Sequence, residues 1–270
     1  MSSSTSTVLE RILRETREEV ERRKRALPLQ APSAGAGRAT GARRFREALL
    51  GPGVGVIAEF KRRSPSAGTL REDPDLREIV SAYERGGAVA LSVLTEGPNF
   101  EGSLEDLRAA TGACDLPTLR KDFIVDPYQL EETRAAGADA VLLIVAALKD
   151  AELAALHDAA RAMGLDVLVE VHDREELGRA LSLGADTVGI NNRDLRDFSV
   201  DLERTARLMG DVPAGVAVVS ESGIATPAQL GTLHELGVAA VLVGGALMRA
   251  DDPERALREL TRLTDAADAL

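Results

Sequence analysis

The chain of 270 residues has no tryptophan, a single cysteine and three histidines. Each scarcity removes a class of structure. Cys114 alone cannot close an internal disulfide, and its place just before an apolar run reads as a small buried residue. His157, His172 and His234 have neither metal-motif spacing nor a cysteine cluster beside them, so no metal site is expected. No apolar run approaches the roughly 18 residues of a membrane span, and the opening Met-Ser-Ser-Ser-Thr-Ser-Thr is polar rather than a signal peptide. A cytoplasmic chain with no membrane partner is expected. Positive charge is also short: Lys and Arg number 33 against 44 Asp and Glu, a net charge of −11. That excludes the extended basic surface a nucleic-acid partner calls for.

What is present is ample core material, 44% hydrophobic residues, in a length that suits either two average domains or one α/β barrel of about 250 residues. Thr7 before Val8, Leu9 and Glu10 has the capping-box pattern, and Val8, Leu9, Ile12, Leu13, Thr16 and Val20 mark one face of an amphipathic helix reaching about Leu27. Residues 28–42, rich in Pro, Gly and Ala, read as a connector before a short helix around Arg43 to Leu50. The main body follows. There one phrase recurs: RGGAVALSV, AAGADAVLLIV, SLGADTVGI and ELGVAAVLVGG. In each, a helix ends at a glycine able to take a left-handed cap (Gly86 or Gly87, Gly137, Gly184, Gly237), and an apolar strand follows, the αβ joint of a parallel sheet. With VGVIAEF, LPTLRKDF, LDVLVEVH and GVAVVSES the strands number eight. The predicted fold is a single (β/α)8 TIM barrel over residues 53–270, with an N-terminal helical extension and connector over residues 1–52. An open doubly wound sheet fits less well, because the glycines of Gly51-Pro-Gly-Val-Gly55 precede the first strand instead of following it.

Such barrels place their active sites where strands end in βα loops. Strand one ends in Glu59 and Lys61, strand three in Arg120, Lys121 and Asp122, strand five in Glu170, strand six in Asn191, Asn192 and Arg193, and strand seven in Glu221 and Ser222. Strand beginnings are introduced instead by Gly, Ala, Leu and Pro, so the charge gathers at one end. A merely solvated face would scatter it. SESG at 220–223 and VGGALM at 243–248 offer backbone N–H groups after strands seven and eight, the usual phosphate position of this fold, although Gly244 and Gly245 also suit a plain tight turn.

AEFKRRSPSAG, NFEGSLEDL, LRKDFIVDPYQL, GADAVLLIVAAL, LVEVHD, GINNRDL and VSESGI together resemble, in order and spacing, the indole-3-glycerol phosphate synthase family of tryptophan biosynthesis. The resemblance implies closure of 1-(2-carboxyphenylamino)-1-deoxyribulose 5-phosphate to indole-3-glycerol phosphate, with loss of carbon dioxide and water. It also implies no metal or organic cofactor, an N-terminal segment packed over the barrel mouth, and a monomer open to contacts with other enzymes of the pathway. By the same resemblance Lys121, paired with Glu59, is the acid that protonates the ketone, and Glu170 is acid or base in the later steps with Lys61 assisting, while the sequence leaves open which of the two lysines acts at which step. Asn191 orients a hydroxyl, while Ser64, Arg193 and Glu221 contact substrate. Ser222, Gly223, Gly244 and Gly245 hold the phosphate. Phe100, Phe123, Leu142 and Leu242 match the aromatic pocket, though each equally suits core packing. Two positions depart from the family pattern: Gly245 stands where serine or glutamate is usual, and Ala67 where lysine is frequent. Among the unassigned residues, Arg62 and Arg63 read as solvated or structurally paired. His172, just past Glu170, tempts a dyad but is read from strand alternation as structural. The rival chemistry is a Schiff-base lyase in which Lys121 attacks the ketone as a nucleophile.

Overall fold

The computed structural model describes residues 7–27, 45–194 and 198–267, with side chains to 262. The predicted connector, residues 28–42, lies outside the described residues. Helix α1 (Val8–Ala26) opens as its sequence dictates: the Thr7 hydroxyl accepts from the N–H of Glu10 while the Glu10 carboxylate accepts from the N–H of Thr7. Its apolar face, including Ile12, Leu13 and Val20, is buried. The short α2 (Phe45–Leu49) buries Phe45 and Leu49 beneath the sheet.

The eight predicted strands are all present: β1 (Gly55–Phe60), β2 (Ala90–Leu94), β3 (Thr118–Lys121), β4 (Ala140–Ile144), β5 (Asp166–Val171), β6 (Thr187–Asn191), β7 (Ala217–Glu221) and β8 (Ala240–Val243). Every pairing among these eight is parallel, and β1 pairs with both β2 and β8, so the sheet closes. The registers Gly55↔Ala240 and Ile57↔Ala90 seal the barrel on the two sides of β1. The outer layer is α3 (Leu76–Arg85), α4 (Leu104–Thr111), α5 (Pro127–Ala135), α6 (Asp150–Ala162), α7 (Arg174–Ser182), α8 (Glu203–Met209), α9 (Pro227–Glu235), the one-turn α10 (Gly245–Arg249) and α11 (Pro253–Ala267). The joint glycines behave as their sequence context requires. Gly87, Gly137, Gly184 and Gly237 have φ of 93°, 80°, 81° and 79°, and at the first joint it is Gly87, not Gly86, that takes the left-handed turn.

Strand burial is nearly continuous, as a sheet covered on both faces demands. Alternation then sorts each strand end: Glu59, Lys121, Glu170, Asn191 and Glu221 turn inward, and their neighbours turn toward the helices. Two residues expected at the mouth belong to the second set. Arg120, 1% exposed, lies between β3 and α5, donating to Asp122 at 2.8 Å, to Glu132 at 3.3 Å, to the Gln129 carbonyl at 2.7 Å and to the Thr95 hydroxyl at 3.0 Å. Asn192 likewise faces outward, donating to the Ser220 hydroxyl at 3.1 Å and accepting from the Thr205 hydroxyl at 2.9 Å. Each is the odd neighbour of an inward residue, so the pleat sends it the other way.

Helix α1 is fastened to α5 at the mouth end of that helix. Arg23 donates to Glu132 at 2.8 Å, Lys24 to Asp126 at 2.5 Å, and the Tyr128 hydroxyl to the Leu27 carbonyl at 3.0 Å. Glu132 thus accepts from both Arg23 and Arg120. The RRSPSAG turn pins itself down in the same fashion. Arg62 forms a forked pair with Asp106 at 2.5 and 2.8 Å and lies 5.1 Å from the centre of the Phe60 ring, and Arg63 pairs with Glu101 at 3.2 Å. Both arginines are paired, where the sequence reading asked for at least one solvated or structurally paired side chain.

Candidate active site

A cavity of about 370 Å³ opens at the carboxyl ends of the strands. Its lining includes all of Glu59, Lys61, Ser64, Phe100, Lys121, Phe123, Leu142, Glu170, Asn191, Arg193, Glu221, Ser222, Gly223, Leu242, Gly244 and Gly245. These residues come from all eight βα segments, and only barrel closure brings them together.

The floor is charged. The Lys121 ammonium sits 2.9 Å from Glu170 Oε2 and 3.3 Å from Glu221 Oε2. Lys61, the second residue after Glu59, pairs with Glu59 Oε1, whose other oxygen accepts from the Ser92 hydroxyl at 3.4 Å. The expected pairing of Lys121 with Glu59 is therefore not the one formed: Lys61 reaches Glu59 from the same strand end, and Lys121 is left to the two carboxylates of β5 and β7. Glu59 still acts on Lys121 through space.

Burial favours the neutral form of Lys121, yet Glu170, Glu221 and Glu59 outweigh it and raise the ammonium above the usual lysine range. For Glu170 burial pushes upward, but Lys121 and then His172 hold the carboxyl well below the usual carboxylate range. Glu221 goes the other way. Burial, reinforced by repulsion from Glu170 and Glu59 and only partly countered by Lys121, pushes it up to about 7. Its Oε1 has no hydrogen-bond partner among the described residues. Two like carboxylates sharing one ammonium cannot both be held equally, and the environment drives them apart.

Two wall glycines make room for this charge. A Cβ on Gly244 would stand 2.5 Å from Glu59 Oε1, and one on Gly189 would stand 2.2 Å from Glu221 Oε1. Any side chain at either position would displace a carboxylate. After β7, which lies between β6 and β8, Ser222 and Gly223 both have positive φ, 68° and 84°, which turns the chain sharply and bares backbone at the start of the loop. Asn191 Oδ1 accepts from the N–H of Arg193 at 3.0 Å, and Arg193 donates to the Phe198 carbonyl at 2.7 Å, which fixes the loop after β6.

The cavity also contains residues that sequence reasoning did not assign. Phe198 enters from the loop after β6 with φ 62°, a placement without a sequence signal. Arg249 lies one helical turn after Gly245, its guanidinium 3.4 Å from where a Cβ on Gly245 would be, and the i,i+4 spacing was a readable sign of that proximity. His172 was read as structural. Its Nε2 is in fact 3.4 Å from Glu170 Oε1, because it shares the parity of Glu170 just past the end of β5. Among the described residues no group of three or more His, Cys, Asp or Glu is arranged to hold a metal ion.

A sequence model of the indole-3-glycerol phosphate synthase family matches residues 9–260. An indole-3-glycerol phosphate synthase of Azospirillum brasilense is 48% identical over 259 residues, covering 94% of this chain and 99% of that protein. Indole-3-glycerol phosphate synthase 2 of Streptomyces coelicolor is 53% identical over 219 residues, covering 81% and 85%. Among solved structures, N-acetylmannosamine-6-phosphate 2-epimerase from Clostridium perfringens superposes with a TM-score of 0.62 at 19% identity, covering 85% of this chain and 99% of that one. At that identity the likeness extends to the barrel and no further.

Proposed function

The chain belongs to the indole-3-glycerol phosphate synthase family, and on that premise we propose how its residues divide the conversion of 1-(2-carboxyphenylamino)-1-deoxyribulose 5-phosphate into indole-3-glycerol phosphate. The observation that carries the proposal is Lys121, charged and buried between Glu170 and Glu221 at the cavity floor. A cation held there by carboxylates has a proton to give and no free lone pair with which to attack. Lys121 therefore protonates the ketone oxygen as the aromatic carbon attacks the ketone carbon, closing the five-membered ring. Lys61 pairs with the substrate carboxylate until carbon dioxide departs and leaves its bonding electrons to the ring.

Dehydration needs one proton for the departing hydroxyl and the removal of another to restore aromaticity. Glu170, a carboxylate in the resting site, takes the second and exchanges it with the leaving group, with Lys61 assisting. Asn191 orients a hydroxyl, and Ser64, Arg193 and Glu221 complete the polar wall. Ser222, Gly223, Gly244 and Gly245 receive the phosphate, while Phe100, Phe123, Leu142 and Leu242 take the aromatic ring. All of these surround one cavity.

Helix α1 acts as an extension over the mouth of the catalytic barrel formed by 53–270, whereas α2 lies at the other end, where the Arg46 N–H donates to Asp166 at 3.0 Å and its guanidinium to the Gly215 carbonyl at 2.7 Å, both at strand beginnings. The contacts of Lys24 with Asp126 and of Leu27 with Tyr128, at the mouth end of α5, support this reading. The enzyme acts as a cytoplasmic monomer, open to contacts with other enzymes of the pathway, with a phosphorylated anthranilate derivative as its substrate. Supplying that substrate and following indole-type absorbance and fluorescence tests the activity directly, since the chain has no tryptophan to obscure the product. A flat trace from folded protein would remove the proposal.

A further inference from the structure

His172 lies behind the catalytic floor, outside the cavity lining, between two carboxylates. Its Nδ1 is 3.0 Å from Glu176 Oε2 on α7, and its Nε2 is 3.4 Å from Glu170 Oε1. The backbone N–H of His172 also donates to Glu176, at 2.7 Å, so the ring is fixed from one side before it meets Glu170. A neutral imidazole carries one N–H and one lone pair. Here both ring nitrogens face carboxylate oxygens, so a neutral ring would set its lone pair against one of them. The imidazolium instead donates from Nδ1 to Glu176 and stands as a cation within ion-pair distance of Glu170, toward which its otherwise unpartnered Nε2 is turned. The inner carboxylates Glu59, Glu170 and Glu221 pair with Lys61 and Lys121, and a cationic His172 adds positive charge on the far side of Glu170.

We propose that His172, protonated on both ring nitrogens, is a positioning residue that ties Glu170 to Glu176 and fixes the Glu170 carboxylate with Oε2 toward Lys121 and the substrate. The proposal rests on the reading of Glu170 as the acid or base of the later steps. Each oxygen of Glu170 then has its own cation, His172 on Oε1 and Lys121 on Oε2. Withdrawal of Lys121 toward the ketone frees Oε2 alone, so proton transfer occurs at one oxygen in one orientation. The groups that set the His172 charge are Glu170 from β5 and Glu176 from α7. Those acting on Glu170 are His172 itself, Lys121 from β3 and Glu221 from β7. Burial opposes the charge on His172, and the two glutamate carboxylates that face its ring outweigh this, pushing the ring up to about 10.

The test has a spectroscopic arm and a kinetic arm. In the full-length protein labelled with ¹⁵N-histidine, the His172 signals, assigned by their loss in His172→Gln, should show both nitrogens protonated at pH 7.5 and titrate several pH units above an ordinary histidine. A neutral ring at pH 7.5 overturns the proposal, whatever the variants do. In single-turnover kinetics His172→Gln should lower the rate about 10- to 100-fold, the range for outer partners that orient catalytic ligands, with KM little changed. The acid limb of its pH profile should move to higher pH, because Glu170 has lost a cation. Glu176→Gln should shift the profile in the same direction by less. Wild-type rate and profile in a folded His172→Gln overturn the positioning role. Full activity in Glu170→Gln instead overturns the reading of Glu170, and so separates the two failures.

Discussion

Glu59 and Gly244 meet across the β1–β8 seam, where the carboxylate occupies the space that any side chain at 244 would fill: a Cβ there would stand 2.5 Å from Oε1. Gly244 was singled out in the sequence for its backbone N–H, yet the wall contact gives it a second duty. Gly244→Ala should displace Glu59, and with it Lys61, without unfolding the barrel. We expect turnover to fall tenfold or more. In a double-mutant cycle with Glu59→Gln the two losses should be far from additive, because both act through one carboxylate. Additive losses would mean that Gly244 serves the phosphate alone.

Lys121→Ala should lose roughly 10² to 10⁴ in turnover, the usual size of a general acid or base contribution, with a smaller change in substrate affinity. Glu170→Gln keeps its shape and should lose turnover on a similar scale. Borohydride added during turnover should leave Lys121 without a substrate-sized mass by mass spectrometry. An adduct at that residue would replace acid catalysis with the Schiff-base route.

Stability should carry the signature of Glu221. Its carboxyl is raised in the folded state from an ordinary 4.5 to about 7, so the fold binds that proton more tightly than the unfolded chain does. The stabilisation is fully present below the unfolded value and is lost as pH rises through about 7. Glu221→Gln removes this dependence. From pH 5 to pH 8 urea unfolding should show the variant gaining on wild type by up to about 3 kcal/mol, at 1.36 kcal/mol per pKa unit. A constant difference across that range would mean that Glu221 titrates as an ordinary carboxylate.

Arg120→Met should destabilise the protein by about 3 to 5 kcal/mol, since it leaves Asp122 and Glu132 buried without their shared cation. Denaturant melts measure this. A loss below about 1 kcal/mol, the median worth of an exposed pair, would mean that water replaces the guanidinium.

Arg120 also shows how far the sequence could be read. Eight apolar runs joined by glycine turns sufficed for the barrel, because helix termination and strand burial are local and periodic. The inward groups Glu59, Lys121, Glu170, Asn191 and Glu221 were legible because they end strands of known polarity. Which group meets which was not. Lys61 takes Glu59 and leaves Lys121 to Glu170 and Glu221 because of side-chain reach across the barrel, which no one-dimensional spacing encodes. Arg120 and Asn192 were misplaced by reading the strand end as a cluster when the pleat still alternates there. His172, read as structural, lies outside the cavity lining, and its contact with Glu170 follows from keeping that residue's parity one residue after β5 has ended.

Inorganic phosphate or sulfate should bind beside Ser222, Gly223 and Gly244 in a crystal of the enzyme. Inhibition by phosphate should compete with substrate and should weaken in Arg249→Met, whose guanidinium borders the same end of the cavity. An anion found only at the amino ends of the strands would remove the assignment.

The seam between β1 and β8, Gly55↔Ala240 to Ala58↔Val243, joins the first strand to leave the ribosome with the last. Until residue 244 has emerged, β1 has one unpaired edge and Glu59 has no wall to rest against. Glu221 and the Gly189 wall exist earlier, but the cavity does not. A chain without β8 therefore lacks the closed cavity, and the pairing of β1 with β8 that completes it is the slow kind of event expected when partners lie far apart in sequence.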